Sequence, residues 1–373
     1  MVAGYAAKGF VERGLKPGEL GIISADDALP YERPPLSKSL LAGKDDAQSV
    51  LINPESFYRD HGIGVHLKSQ IERIDLSAKQ LAERGGEQFR FVNLIIATGA
   101  RVRTLDVPGA DREHVLYLRS LSDSVRLRDA IKNAKKVLVL GAGFIGMEVA
   151  SQSAQQGRNT TLVFAQDRVW KTFFTPEMSR FFQNYYESRG VHLVSGANVR
   201  AIGTKDVSLS TDTKLDADLI VAGIGVTPVI ETAQKSGLEV ENGIVVNEFL
   251  ETSAPGVYAG GDVANYHDLL FTKRRRVEHW DNAVKQGQYL AQRLSGSSEP
   301  FKNIPYFFSD VFDLSYEFWG DTDGADRSEY RGDVNTSSFS AWWLKNNKVV
   351  AAFAMNRADS ERESASRLSL PPS

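Results

Sequence analysis

Glycines at 141, 143 and 146 carry the most specific spacing in this 373-residue chain. They stand in residues 136–150, KVLVLGAGFIGMEVA, where an apolar run reads as a buried parallel strand that breaks into a segment of helix-forming residues. Gly141 permits a tight turn, Gly143 lets backbone approach a pyrophosphate, and Gly146 lets helix and strand pack closely. The chemistry this suits is the seating of a dinucleotide phosphate on a helix N-terminus. A glycine-rich structural turn is the alternative, and the strand and helix on either side favour the dinucleotide. The strand after the motif, TTLVF at 160–164, runs into Gln166, Asp167 and Arg168. An acid there favours NAD and a cation NADP, so Asp167 and Arg168 point in opposite directions while Gln166 is neutral.

Other candidates lie on loops and strand ends. Residues 29–38, LPYERPPLSK, put Arg33 and Lys38 on either side of a proline-stiffened bend, which suits two cations held against a phosphate or an electron-rich ring and equally a surface turn. Asp26 follows a short apolar strand, where a carboxylate can meet ribose hydroxyls. FVNLIIATGA at 91–100 ends on Thr98 and Gly99, with Arg101 just beyond, and the similar strand at 216–225 ends on Gly225. Gly260-Gly261-Asp262 aims a carboxylate where backbone can come close, suited to a polyol hydroxyl. Trp280, near the start of a helix expected over 276–287, is either a stacking partner for a planar group or a core residue.

Composition narrows the classes. Hydrophobic residues at 42% and charged residues at 24% are those of a globular protein, and 373 residues suggest two or three domains. A net charge of -3 argues against a nucleic-acid binder. The one basic run, 273–276, reads as a solvated loop, with docking of an acidic partner as the minor alternative. The absence of cysteine excludes disulfide exchange, thiolate zinc sites and thiolate iron–sulfur clusters, and no metal site is expected. No apolar stretch approaches membrane-spanning length and no secretory pattern opens the chain, so the cytoplasm, or an organelle matrix, is the expected compartment.

The elements that must position these residues follow in order. Residues 2–11 read as an amphipathic helix rich in small residues and 20–24 as a short strand, the second and third parts of a nucleotide-binding unit. Small antiparallel strands occupy 71–91, with a turn at Gly85-Gly86. A helix opens at Thr175-Pro176 and carries an aromatic stretch at 181–186 assigned to packing. From 303 onward, aromatic and β-branched runs suggest a small antiparallel domain with a covering helix or tail, and 359–373 are polar enough to be disordered.

Taken together, LPYERPPLSK, IIATGAR, LGAGFIGMEVA, YAGGDVA, VEHWDNAVKQG and PYFFSD, in that order, resemble the ferredoxin-reductase-like family of FAD/NAD(P)-dependent flavoproteins, which includes rubredoxin and putidaredoxin reductases, apoptosis-inducing factors and monodehydroascorbate reductases. The resemblance implies an α/β fold of two Rossmann-like dinucleotide-binding domains, one inserted in the other, plus a small C-terminal α+β domain. The expected boundaries are 1–112 with 239–300 for FAD, 113–238 for NAD(P), and 301–373 for the last domain. It implies that Arg33, Lys38, Thr98, Gly99, Arg101, Asp262 and Trp280 line the FAD cleft, with Lys38 by the reactive ring, Asp262 on the ribityl chain and Trp280 by the isoalloxazine, while Asp26 remains the candidate for the ribose hydroxyls. Gly141, Gly143 and Gly146 belong to the NAD(P)H side, with Glu148 orienting the nicotinamide and Gly225 a further cofactor-binding candidate, so that Lys38, Glu148 and Trp280 form the expected catalytic group. The implied activity passes electrons from NAD(P)H through FAD to a small redox protein or to monodehydroascorbate, in a monomer or homodimer. A non-catalytic relative acting through partner contacts is the alternative.

Three departures accompany the resemblance. The family's first strand and first two FAD-motif glycines have no counterpart before Met1-Val2-Ala3. Val284 and Phe308 stand where monodehydroascorbate reductases are expected to carry an arginine and a tyrosine. Gln166 replaces the acid expected to select NAD.

Overall fold

The computed structural model describes residues 1–358, and the polar stretch 359–373 lies outside the described residues. Seven α-helices are present among them: α1 (Val2–Val11), α2 (Glu55–Asp60), α3 (Leu121–Asn133), α4 (Phe144–Gln155), α5 (Pro176–Ser188), α6 (Glu231–Lys235) and α7 (Trp280–Leu294). The strand Lys136–Leu140 is the axis of the middle of the chain. Its four apolar residues are all buried, and it pairs in parallel with Asn159–Phe164 on one side and Leu219–Ala222 on the other. Val191–Ser195 and Val115–Leu116 complete a five-stranded all-parallel sheet. A parallel sheet covered on both faces explains why these strands read as unbroken apolar runs. α3 and α5 start where their sequences say they should. Ser120 and Asp123 form a reciprocal capping box at α3, and Thr175 caps α5 ahead of Pro176.

The second nucleotide-type unit is built from both ends of the chain. α1 packs along α7 through small residues, and a Cβ at Gly287 would come within 2.7 Å of the Val2 carbonyl oxygen. Its parallel strands fall in two pairs, Gly21–Ile23 with Gly64–His66 and Leu94–Ile96 with Val257–Ala259. Ile244–Val246, Ala264–Asp268 and Lys273–Arg275 form a further sheet, and residues 71–90 form a three-stranded antiparallel sheet as expected.

Residues 306–355 form a five-stranded antiparallel sheet in the order Tyr306–Val311, Leu314–Gly320, Lys348–Met355, Phe339–Lys345, Arg327–Gly332. No helix covers it from within its own segment among the described residues. Instead α5 and the turn before it do so: Phe182 on α5 and Phe174 just ahead of it meet Tyr316, and Phe174 meets Phe353, at ring separations of 5.2 to 5.7 Å. The packing role assigned to 181–186 is what Phe182 and Tyr186 perform, both fully buried.

Two expectations need correction. The helix expected over 276–287 begins at Trp280, because residues 276–279 run extended into the His279 N-cap. The basic run is not a solvated loop. Lys273–Arg275 is a strand, and Arg275 sits between Asp268 at 3.0 Å and Asp321 at 2.6 Å, with side chains 11%, 2% and 16% exposed. Arg276 donates to the Asp262 carbonyl at 3.1 Å. Carboxylates distant in sequence turn charges that read as surface into an internal clasp on the C-terminal sheet.

Removing one partner of such a pair strands the other in a poor solvent for charge. Arg275→Met is therefore expected to lower the unfolding free energy by about 3 kcal/mol, read as a shift of the denaturant midpoint, and Arg275→Lys to restore part of it.

Candidate functional site

The turn after Lys136–Leu140 is shaped by contacts that exclude side chains. Gly141 has φ +100°, a region that favours glycine, and a Cβ there would overlap the Gly223 carbonyl oxygen, while a Cβ on Gly146 would overlap the Gly141 carbonyl oxygen. Gly143 differs, since no atom lies within 4 Å of where its Cβ would stand. It is the N-cap of α4, with no side-chain cap and no acidic residue in the first turn. A cleft of about 470 Å³ opens there, lined by Gly141, Gly143, Gln166, Arg168, Gly223 and Gly225 among others. Unpartnered N–H groups facing an open cleft fit a phosphate. Arg168 donates to the Phe174 carbonyl, the Ser179 hydroxyl and the Lys171 carbonyl, and Asp167 pairs with Lys171 at 3.0 Å. Both charges that pulled the sequence reading in opposite directions are thus engaged with the protein itself.

One turn into α4, the buried carboxylate of Glu148 accepts hydrogen bonds from three side chains on two distant stretches of the chain. Lys38 Nζ donates at 2.8 Å and Ser309 Oγ at 2.5 Å to one oxygen, and Ser37 Oγ donates to the other. The Pro34–Ser37 turn is a 3-10 helix, so the stiff bend read from its prolines does present Lys38, although through Glu148 rather than toward open solvent. Lys38 Nζ also lies 3.8 Å from Asp310 and 5.0 Å from the Phe308 ring centre. Rings close this junction from the side of α4: Phe144 meets His279, Phe307 and Phe173 at 5.2, 5.0 and 5.5 Å. Burial holds His279 down to about 4, opposed by Asp262 and assisted by Lys38, so the imidazole is neutral near pH 7. Burial likewise holds the Tyr316 and Tyr186 hydroxyls well above their usual value, with Glu148 adding to it.

A second cluster gathers at the N-terminus of α1. Arg119, fixed just ahead of the α3 capping box, pairs with Asp262 at 2.8 Å, and Arg33 donates to the Arg119 carbonyl oxygen. The backbone amine that heads α1 has Arg33, Asp262, Glu32 and Arg119 as its charged neighbours, which places the helix end at this cluster. A Cβ on Gly99 would lie 3.2 Å from the Arg119 guanidinium. Two guanidiniums and a helix N-terminus gather here with the carboxylates of Asp262 and Glu32, and the cations and helix end are groups that fit the phosphates of a second dinucleotide such as FAD. Asp26 accepts from the Tyr31 hydroxyl at 2.8 Å on the edge of this cluster. Trp280 donates its indole N–H to Glu32, which also accepts from Tyr5 on α1.

The structure thus brings Lys38, Glu148, Trp280, Arg33, Gly99 and Asp262 around one region at the meeting of α1, α4 and α7. Arg101 is further out, in an antiparallel pair with residues 226–228 and ion-paired with Glu231, and Thr98 donates to the Val229 carbonyl at 2.7 Å. Ser37, Ser309, His279, Arg119 and Glu32 escaped the sequence reading. Ser37, Glu32, His279 and Ser309 lie inside the quoted motifs, beside Arg33, Lys38, Trp280 and Asp310, which was the available signal; Arg119 had none. Val284 is 6% exposed and Phe308 stands over Lys38, so neither offers a polar group.

A family model described as pyridine nucleotide-disulphide oxidoreductase matches residues 2–287, and one described as the monodehydroascorbate reductase 3-like C-terminal domain matches residues 304–370. A monodehydroascorbate reductase of Pisum sativum is 35% identical over 400 residues, covering 98% of this chain and 91% of that protein. A ferredoxin reductase from Rhodopseudomonas palustris superposes with a TM-score of 0.93 at 34% identity, covering 99% of this chain and 96% of the other. A putidaredoxin reductase, solved in covalent complex with putidaredoxin, gives a TM-score of 0.93 at 31% identity and coverage of 98% and 90%. Two dinucleotide-type units and a small antiparallel sheet are the fold these chains share.

The open space at Gly143 separates binding from folding. Gly143→Val is expected to fold normally and to lose NADH binding in equilibrium titration, whereas Gly146→Ala, whose Cβ meets backbone, is expected to lose stability itself; unchanged NADH affinity in the first would contradict the placement. For His279 the folded state resists protonation, so the unfolded chain binds the extra proton between the ordinary imidazole value of 6.5 and about 4. Stability is fully present above pH 6.5 and falls as pH drops toward about 4, a slope that His279→Phe is expected to reduce in pH-resolved denaturation.

Proposed function

Because the chain belongs to the pyridine nucleotide-disulphide oxidoreductase family, whose members use FAD and NAD(P)H, we propose that it oxidises NAD(P)H and hands the electrons to a small redox acceptor. Bound FAD supplies the hydride acceptance and the one-electron delivery. The observation that carries the reading is the convergence of the nucleotide-turn helix, the PPLS turn and the C-terminal strand on a single buried ion pair, Lys38 with Glu148.

The residues divide the work. The α4 N-terminus and Gly143 seat the pyrophosphate of NAD(P)H. Glu148, held by Ser37, Lys38 and Ser309, orients the carboxamide of the reduced pyridine. Lys38 is the cation placed to stabilise negative charge that builds on a ring set against it. Phe144, Phe173, Phe307 and neutral His279 exclude water from the same junction. Arg33, Arg119 and the α1 N-terminus seat the FAD phosphates, while Glu32 fixes the Trp280 ring.

Arg168 and Asp167 are engaged elsewhere and Gln166 is neutral and exposed, so the adenosine end carries neither an NAD-selecting acid nor a free NADP-selecting guanidinium. The reading is therefore modest discrimination, with kcat/KM for NADH and NADPH within about tenfold of each other, and Gln166→Glu shifting the ratio toward NADH.

The direct test is anaerobic addition of NADH to FAD-loaded protein. Bleaching of the oxidised-flavin absorbance is expected, slowed about 100-fold in Lys38→Met, and a flavin that binds but stays oxidised in the unaltered protein would refute the proposal.

A further inference from the structure

The C-terminal sheet has two edges, and the fold treats them differently. Tyr306–Val311 lies against α4 and α7, whereas Arg327–Gly332 pairs with Phe339–Lys345 on one side and has no strand on the other among the described residues. Side chains alternate along that outer strand. Tyr330 turns toward α5, its hydroxyl at Thr175 and Glu177, and Arg327, Glu329 and Arg331 share the opposite face, all exposed.

An unpaired strand edge is a template for another strand, and a row of one charge sign protects it by repelling a copy of itself. The row here alternates in sign, so it opposes some registers and favours another. Arg327 and Glu329 meet within their own strand at 3.0 Å, with side chains 43% and 59% exposed, a pair that solvent screens. Arg331 rests on the Trp342 ring at 4.6 Å and has no carboxylate partner among the described residues. Two copies related by a two-fold axis run antiparallel, and the position of the axis decides which residues face each other. With the axis through Glu329, that carboxylate faces itself and Arg327 faces Arg331, so every pair is of like sign. With the axis through Ser328, Arg327 faces Glu329, but only residues 327–329 of each strand overlap. With the axis through Tyr330, Glu329 faces Arg331 on both sides, and residues 328–332 of each strand are in register. Opposite charges directly across a sheet stabilise it and like charges destabilise it, so the last arrangement is preferred.

We propose that Arg327–Gly332 is a self-association edge, on which a second copy of this chain pairs antiparallel about an axis through Tyr330 and joins the two five-stranded sheets into one. The edge lies at the opposite end of the sheet from Tyr306–Val311, so the pairing leaves the Lys38–Glu148 junction of each copy untouched. It is independent of the reading of the chain as an oxidoreductase.

The test uses the full chain, whose lack of cysteine makes a single introduced one unique. Sedimentation over a range of concentrations is expected to show a monomer–dimer equilibrium for the unaltered protein. Glu329→Arg makes the row wholly cationic and is expected to raise the dissociation constant about tenfold. Arg327→Glu combined with Arg331→Glu makes it wholly anionic, with the same effect. Mixed together, the two variants are expected to dimerise with each other, which neither a misfolded chain nor an edge that binds something else would do. Under mild oxidation, Tyr330→Cys is expected to cross-link to its own copy and Glu329→Cys is not. An unaltered protein that is monomeric at every concentration overturns the proposal. So does a dimer indifferent to Glu329→Arg, or a mixture of the two variants that stays monomeric. Cross-linking through Glu329→Cys in place of Tyr330→Cys overturns the register.

Discussion

A carboxylate buried among hydrocarbon is tolerated only where donors satisfy it, and Glu148 finds three of them on segments that are distant in the chain. Ser37 and Lys38 come from the proline-stiffened turn near the N-terminus, Glu148 from the helix that follows the glycine turn, and Ser309 from the first strand of the C-terminal sheet. The requirement that one acid be neutralised is what sets their mutual position, and with it the distance between the nucleotide turn and the cationic groups at α1.

The parts legible in the sequence are those whose physics is local. A strand, a glycine turn and a helix lie within fifteen consecutive residues, so the nucleotide turn is readable from spacing, and Gly141 and Gly146 behave as their roles require. The Ser120 and Thr175 caps and the Gly85-Gly86 turn between small strands are local in the same way. The parts missed are non-local. Ser309 lies 161 residues from Glu148, and nothing in PYFFSD says that its serine turns inward while Phe308 turns out. The run 273–276 misled for the same reason: four cations in succession read as solvated until Asp268 and Asp321 are brought against them by the fold.

The strand pairs of the α1–α7 unit show where local order and overall architecture separate. Gly21–Ile23 and Val257–Ala259 each hold one parallel partner, so this unit is held by the α1–α7 contact and by the ionic clasp at Arg275 as well as by strand pairing. The guanidiniums of Arg33 and Arg119 gather at the end of α1 in that same unit, so phosphate binding there would oppose their mutual repulsion.

The account's central claim is that Glu148 couples the turn at Lys38 to the C-terminal strand at Ser309. A double-mutant cycle with Lys38→Met and Ser309→Ala, read as unfolding free energy and as the rate of flavin bleaching by NADH, measures that coupling directly. Contact through a shared carboxylate predicts an interaction energy of about 0.5–3 kcal/mol in both readouts. Strict additivity in both would show that the two side chains act independently and would contradict the claim.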